Sequence, residues 1–493
     1  MKTIKRQSIF ILTVMLMLTM FAVPVRAEIR GEKEETKTPE ITEVILFVNT
    51  KKQLKLKNAP KNLKITWNSS NKKVATVTQK GKVTAKKAGK TKITAKVEAQ
   101  KYIYEHTFSI TVKKKVKLKN KKGKNASDIA ALKKIIEAQI LQGASISTDL
   151  NKTSQYIWDE KGRLTELHWN KKKLKGSLSL TKFSSLTVLE CKENNLTCQI
   201  ISKNSSLKEL DCGYNNLKKL DVNRNTSLTK LICQVNKITK LDVRKNIFLE
   251  ELDCRSNNLK ALNVNQNIAL KSLDCSYNAL TKLDVCRNSV LEELGCSKTK
   301  LTTLDISQNT ALKTLNCKLN NLTTLDISQN KALTDLDCSY NGLTALDLSK
   351  NTNLTNVNCS YNELTSLDIS QNTNLDDLYC RMNKLTTLDV SHNTALTGLE
   401  CAANELTNLD VSKNTALQFL CCSYNKLTDL DVRKNTALWS LYCEGNNLTA
   451  LDISQNVSLN ILYCKDNKIT ILDISQNPAL EDLLCDNNVT VKK

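Results

Sequence analysis

Cysteine offers this chain its most conspicuous chemistry. Of its 18 cysteines, 15 lie at Cys191, Cys212, Cys233, Cys254, Cys275, Cys296, Cys317, Cys338, Cys359, Cys380, Cys401, Cys422, Cys443, Cys464 and Cys485, an unbroken step of 21 residues. Such a column could form disulfides, ligate metal, or simply pack as buried thiols. An odd number cannot pair completely within itself. Side chains in register on neighbouring strands would also hold their Cβ atoms ~4.8 Å apart, beyond the ~3.5–4.5 Å a disulfide prefers. Structural zinc sites use close pairs of the Cys-x-x-Cys kind, and the chain contains none. The thiols are therefore expected to be buried and free, acting as small apolar groups. Disulfides between some of them are the alternative in an exported protein. Cys198, Cys286 and Cys421 stand off the column. Cys421 directly precedes Cys422, should point away from the core, and is the candidate reactive thiol, inert exposure being the stronger alternative.

The other polar chemistry is also repetitive. Asp221, Asp242, Asp284, Asp305, Asp326, Asp347, Asp368, Asp389, Asp410, Asp431, Asp452 and Asp473 form a second column. Paired carboxylates can do acid–base work, but one recurring in nearly every turn marks architecture. Each is expected to accept hydrogen bonds from backbone or serine, calcium ligation being the alternative. The three histidines, His106, His168 and His392, are scattered. No nucleophile–base pair, metal triad or phosphate loop is legible, so no catalysis, cofactor or metal is expected.

A repeat positions these residues. Leu312-x-x-Leu315-x-Cys317-x-x-Asn320 is followed by Leu322-x-x-Leu325-Asp326-Ile327-x-x-Asn330, so each turn has two similar halves. Pattern and period are those of a leucine-rich repeat, in which no turn can bury its leucines without its neighbours. A parallel β-solenoid of about 16 turns is expected over residues 166–493. Trp169 takes the cysteine's place in a degenerate first turn. The Asn after each half can bond backbone groups where the chain turns a corner. Thr299 replaces the first of these once, and a local irregularity is predicted there. Residues 128–488 resemble the repeat region of internalin J-type listerial surface proteins, whose 21-residue repeats carry a cysteine in each turn. The resemblance implies a binding protein rather than an enzyme. Such proteins are usually anchored through a C-terminal sorting motif. Here the chain runs a few residues past Asn488 without one, so secretion or non-covalent retention at the cell wall is the expectation.

Other modules precede the repeats. Lys2, Lys5 and Arg6 lead into an apolar run ending at Val25-Arg26-Ala27, so residues 1–27 are read as a signal peptide, with no membrane span after its removal. Residues 28–39 form a lead-in. Residues 40–114 alternate β-branched runs such as Val44–Val48, Val83–Ala85 and Ile93–Val97 with turns at Asn68–Asn71, Lys80–Gly81 and Ala88–Gly89, the pattern of a small all-β sandwich. Ile65-Thr-Trp-Asn-Ser-Ser-Asn, Val74-Ala-Thr-Val and Ala88-Gly-Lys-Thr-Lys-Ile-Thr-Ala resemble the bacterial immunoglobulin-like group 2 domain. That resemblance implies a spacer or adhesion module. Trp67 is read as its core aromatic. After a basic linker, 115–126, residues 127–165 read as a helical cap. Its helix runs from Asp128 to Leu141, begins at a Ser127 or Asp128 cap and ends at Gly143.

The formal charge is +24, yet residues 51–124 hold 24 Lys against two Glu while residues 125–493 hold 42 basic and 41 acidic residues. The basicity thus belongs to the Ig-like module. Nucleic acid is not an expected partner of an exported chain. Residues 51–124 either attract an anionic cell-wall polymer or form a solvated lysine-rich face.

Within the repeats, the second half-turn hardly changes, as in Leu304-Asp-Ile-Ser-Gln-Asn309 and Leu367-Asp-Ile-Ser-Gln-Asn372, whereas the residues around cysteine diversify. The cysteine half is therefore assigned to the concave β-strand and the binding side. Residues one and three before each Cys should face outward. The candidate ligand-binding residues are Tyr379, Phe419, Tyr442 and Tyr463, with Trp439 at a strand edge, and the acidic Asp253, Asp274 and Asp337. A protein or glycan on a host or bacterial surface is the expected partner. The alternative is that the aromatics merely stack along the solenoid.

Overall fold

A computed structural model describes residues 41–56, 64–99 and 102–493. The expected signal peptide and lead-in lie outside these residues. The chain divides into two compact units, the described parts of Met1–Val44 with Lys51–Thr111, and Ile45–Thr50 with Val112–Lys493.

The first region is built from β1 (Ile41–Phe47), β2 (Lys51–Gln53), β3 (Ile65–Ser69), β4 (Ala75–Val77), β5 (Lys82–Ala85), β6 (Gly89–Ala99) and β7 (Tyr102–Lys113). They form two sheets, in the orders β1-β7-β6-β3 and β2-β5-β4. Alternation decides which side chains go inside: Ile93, Ala95 and Val97 of β6 are buried. Trp67 is buried and stacks on Phe108 with ring centroids 5.8 Å apart. Gly81 turns with φ +76°, and a Cβ there would lie 2.7 Å from the Trp67 ring, so the turn accepts no larger residue. Gly89, read as a turn, instead opens β6.

The second unit contains helix α1 (Ala126–Leu141), whose cap is Asn125, accepting from the Ser127 and Asp128 N–H groups. The predicted caps, Ser127 and Asp128, sit inside the helix. Asp128 is fully buried, accepts from Arg163 Nε at 2.9 Å and from the Leu164 N–H at 3.0 Å, and so ties the helix to the first turn. Gly143, at φ +95°, follows the helix end as expected. Leu132, Ile136 and Ile140 join Val116 and Leu118, the apolar residues of the basic linker, in one core with Leu164, Leu167 and Trp169. The solenoid's first apolar turn is thereby covered.

β8 (Tyr156–Trp158) pairs antiparallel with β9 (Leu164–His168). From β9 a parallel ribbon of sixteen strands runs to Asp482–Leu484. Successive turns pair 21 residues apart, as Leu315 with Leu336. In most strands the middle residue is buried and its two neighbours are half-exposed.

Two columns of asparagine lock the turns together. In the first, three residues after each cysteine, Asn362 Nδ2 donates to the carbonyl of its own Cys359 at 3.0 Å and to that of Cys338 in the turn before at 3.1 Å. Its Oδ1 accepts the Leu343 N–H of the previous turn at 3.0 Å. In the second column Asn330 Nδ2 donates to the Asn309 carbonyl at 2.8 Å and to Ile306 at 3.0 Å. The Oδ1 atoms of this column meet no donor among the described residues.

Thr299 does not disturb the backbone: strand register continues unbroken on both sides. Its hydroxyl donates to Asn320 Oδ1 at 2.6 Å, but it has no oxygen that reaches back to Leu280 as Asn320 reaches Leu301. The irregularity is therefore a missing bond, not a distorted turn. Thr299→Asn is expected to stabilise the chain by about 1 kcal/mol, and Asn362→Ala to cost about 2–3 kcal/mol through stranded backbone groups. Denaturant unfolding checks both, and an unchanged midpoint for either would contradict the assignment.

Candidate functional site

Each ribbon strand ends at the residue before its cysteine, so the cysteine closes the strand and turns inward. Fourteen ladder cysteines are buried, Cys485 in the last turn is half-buried, and all 18 are free thiols. Burial pushes the fourteen buried ladder thiols far above the ordinary range, with Cys359 and Cys464 at about 12. Cys421 does point out of its strand, but burial and then Glu400 push its thiol up to about 11. That environment argues against Cys421 as a reactive thiol and favours the inert alternative. Cys198 and Cys286 are the exposed thiols. The aspartate column accepts local bonds, as Asp326 does from the Ser328 N–H at 2.9 Å, and these bonds hold its carboxyl below the usual range.

The outward face of the ribbon carries the candidate binding residues in two groups. Asp253 and Asp274 are register neighbours and share Arg255, at 3.3 and 3.1 Å. Burial pushes Asp253 up to about 6, against the pull of its backbone hydrogen bond and of Arg255. Asp337 pairs with Lys318 at 3.0 Å. Two cations thus reach into the acidic stretch from the position after a ladder cysteine, Arg255 and Lys318, and the same position gives Arg381–Glu400 at 3.0 Å. Gly295 interrupts the column and leaves a depression of about 340 Å³ lined by Arg255, Asp274, Tyr277, Glu293 and Lys318.

Toward the C-terminus, Phe419 and Tyr442 have ring centroids 5.9 Å apart, and Tyr442 meets Tyr463 edge-on at 5.0 Å. The Tyr463 hydroxyl donates to Asp482 at 2.6 Å. Ser440, in register between Phe419 and Ile461, is fully buried although it sits on the outward side of its strand. The aromatics therefore cover the ribbon here. Trp439 is half-buried just before this strand. Tyr379 lies on the same face, between the two groups. Burial raises the Tyr379 phenol.

One set of residues lies outside the site expected from the sequence. The residue two after every ladder cysteine but the last takes a left-handed backbone, including Tyr214, Tyr277, Tyr340, Tyr361 and Tyr424, at φ +53° to +56°. A non-glycine residue there costs roughly 1–2 kcal/mol, yet within this column only Gly445 is glycine among the described turns. Tyr340 and Tyr361 stack at 4.0 Å with an 11° interplanar angle, and Arg381 lies 5.2 Å over Tyr361. Tyrosine where Asn or Gly fits more easily was the available signal.

These features define a cysteine-ladder leucine-rich-repeat solenoid with a bacterial Ig-like domain before it. Residues 36–103 match the bacterial Ig-like domain (group 2). The functional domain of internalin J (InlJ) from Listeria monocytogenes, which includes a cysteine ladder, aligns at 40% identity over 66% of this chain and 72% of that one, with a TM-score of 0.62. The chain belongs to the internalin J family of cysteine-ladder repeat proteins. YopM from Yersinia enterocolitica (23% identity, 65% and 78% coverage, TM-score 0.50) and a TDR receptor (18%, 65% and 67%, 0.55) share the repeat fold. A comparison with curated protein sequences gives no match. Among the described residues no helix is long and apolar enough to cross a membrane.

Two measurements follow. Alkylation of the native chain should label Cys198 and Cys286 quickly and leave the buried ladder untouched until unfolding; rapid labelling of all 18 thiols would contradict the buried column. Because folding raises the Asp253 pKa above its ordinary 3.8, its ionisation costs stability as pH rises from about 4 to about 6. Asp253→Asn should flatten that part of the stability–pH curve, and an identical curve would contradict the assignment.

Proposed function

We propose that this chain is a secreted or surface-associated, non-catalytic binding protein that recognises a protein or glycan on a host or bacterial surface through the outward face of its ribbon. The observation that carries the reading is the Phe419–Tyr442–Tyr463 cluster, three aromatics in contact on the diversified side of an otherwise uniform scaffold. Clustered aromatics are typical anchors of interfaces. Asp253, Asp274 and Asp337, with their partner cations, supply charge complementarity that selects and orients a ligand. Tyr379 and Trp439 extend the aromatic surface at its margins. The family membership and the Ig-like domain support a surface adhesion role, with the Ig-like module as spacer.

A second reading gives the retaining role to the basic module. Its exposed lysines, including Lys82, Lys86, Lys87 and Lys90, offer an anionic cell-wall polymer a positive surface. In that case the repeats only provide reach.

The test is binding of the full chain to host-surface and bacterial-surface extracts, alongside the Phe419→Ala/Tyr442→Ala/Tyr463→Ala variant. The proposal expects at least a ~10-fold loss of affinity, about 1.4 kcal/mol, with modest salt dependence. Binding that the triple variant leaves unchanged, and that moderate salt abolishes, would replace it with the wall-retention reading.

A further inference from the structure

In the second half of each turn one residue stands directly before the corner Asn. Late in the repeats it is most often glutamine, as at Gln308, Gln329, Gln371, Gln455 and Gln476. Four consecutive early turns place a cation there instead: Lys182, Lys203, Arg224 and Lys245. In the first of these turns Phe183 takes the place of the Asn, yet the backbone turns alike. The Phe183 N–H donates to the Leu180 carbonyl as Asn204 does to Ile201 and Asn225 to Val222. The four cations are therefore stacked at ~4.8 Å intervals over ~15 Å. All four are exposed, and none forms an ion pair among the described residues. Stacked like charges repel, so the column adds nothing to the stability of the fold.

The carboxylates that balance this position elsewhere are missing or occupied here. Arg287, Lys350 and Lys413 each follow the Asp of their own turn by three residues and help to hold its carboxyl down. Behind Lys182 and Lys203 that place is taken by Ser179 and Ile200. Behind Lys245, Asp242 is held by Arg244 through bonds at 2.9 and 2.8 Å, which push its carboxyl down to about 2, with Lys245 adding less. Asp221 accepts from the Asn223 N–H and side-chain amide, both at 3.0 Å. Lys203, Arg224 and Lys245 line an open groove of about 930 Å³ with Ser202, Ser205 and Thr226, and with Asp221 and Asp242. With Asp242 answered by Arg244, three column cations face one carboxylate across the groove. Lys218, Lys219 and Lys240 of the same half-turns are exposed as well, whereas a later half-turn such as Leu322–Asn330 has no lysine.

We propose that this groove binds a linear polyanion carrying phosphate or sulfate groups, its chain lying along the stack. A row of cations in successive turns suits a charged chain better than a single ion. The Arg224 fork and the hydroxyls of Ser202, Ser205 and Thr226 donate from several directions, which suits the outward oxygens of a phosphate or sulfate better than a planar carboxylate. Three contacts released from counterions predict a fall of log affinity with log salt of slope roughly −2. The inference rests neither on the ribbon face nor on the lysines of the Ig-like module, which are different residues.

Acetylation of the lysines of the full chain, read residue by residue by mass spectrometry, tests it with a polyglycerol phosphate, a sulfated glycan, and hyaluronate, which carries carboxylates alone. At low salt one or both of the first two should protect Lys203 and Lys245 several-fold and leave Lys350 and Lys434, at the same position of later turns, as reactive as before. Stronger protection by the polyol phosphate would identify a bacterial-wall type of source, and by the sulfated glycan an animal-surface type. Affinity is then measured in a chain carrying Lys86→Gln/Lys87→Gln/Lys90→Gln, so that the Ig-like module does not mask the groove. Adding Lys203→Gln/Arg224→Gln/Lys245→Gln should weaken binding at least ~10-fold, with unchanged circular dichroism because all three side chains are exposed. Adding Lys350→Gln/Lys413→Gln/Lys434→Gln instead should change it little. Lys203 and Lys245 as reactive with the phosphate and sulfate polymers as without them, equal protection by hyaluronate, or equal effects of the two triple variants would each overturn the proposal.

Discussion

The carboxamide that spans from one turn to the next is the contact on which the rest of this solenoid depends. A ribbon strand of three residues makes too few backbone bonds to fix its own register. Leucine stacking rewards burial but does not by itself choose the 21-residue step. Asn362 does both, because it holds carbonyls of two successive cysteines and an N–H of the preceding turn at once. A side chain with donors and an acceptor in one rigid plane is required for this, and only asparagine offers it at that length. The cysteine beside it then has a clear reason. The corner holds a crowd of bonded backbone groups, and a small apolar side chain fills the space behind them without forcing the turns apart.

That constraint separates what may vary from what cannot. Inward leucines, corner asparagines and cysteines are bound to neighbours above and below. The half-exposed positions before each cysteine, the left-handed position after it, and the two residues entering each strand are bound to nothing that requires a given type. They hold the aromatic cluster around Tyr442 and the Tyr340–Tyr361 stack, two surfaces with different neighbours. A repeat of this kind offers an evolving sequence several independent faces without a change to the frame.

The repeat, the ladder and the direction of each strand residue were legible in the sequence because they depend on periodicity alone. What was not legible depends on contacts between residues far apart in the chain. Asp128 reads as a helix cap by its place before an apolar run, but Arg163 and Leu164 draw it into the core and leave the cap to Asn125. Cys421 reads as an exposed thiol by alternation, yet neighbouring strands half-bury it beside Glu400. The acidic stripe through Asp253 and Asp337 reads as bare charge until Arg255 and Lys318, one residue past the ladder, are seen to reach across to it. Thr299 was correctly singled out, but its consequence is a lost hydrogen bond at Leu280 with the backbone unmoved.

Amide hydrogen exchange resolved along the repeats tests the central role of the bridging carboxamides most directly. The N–H groups that accept this cross-turn protection, at Leu259, Leu301, Leu322 and Leu343, should exchange only through large-scale opening. Leu280 should exchange markedly faster within the same stretch. Protection at Leu280 equal to that of Leu259 and Leu301, or fast exchange throughout the column, would contradict the account.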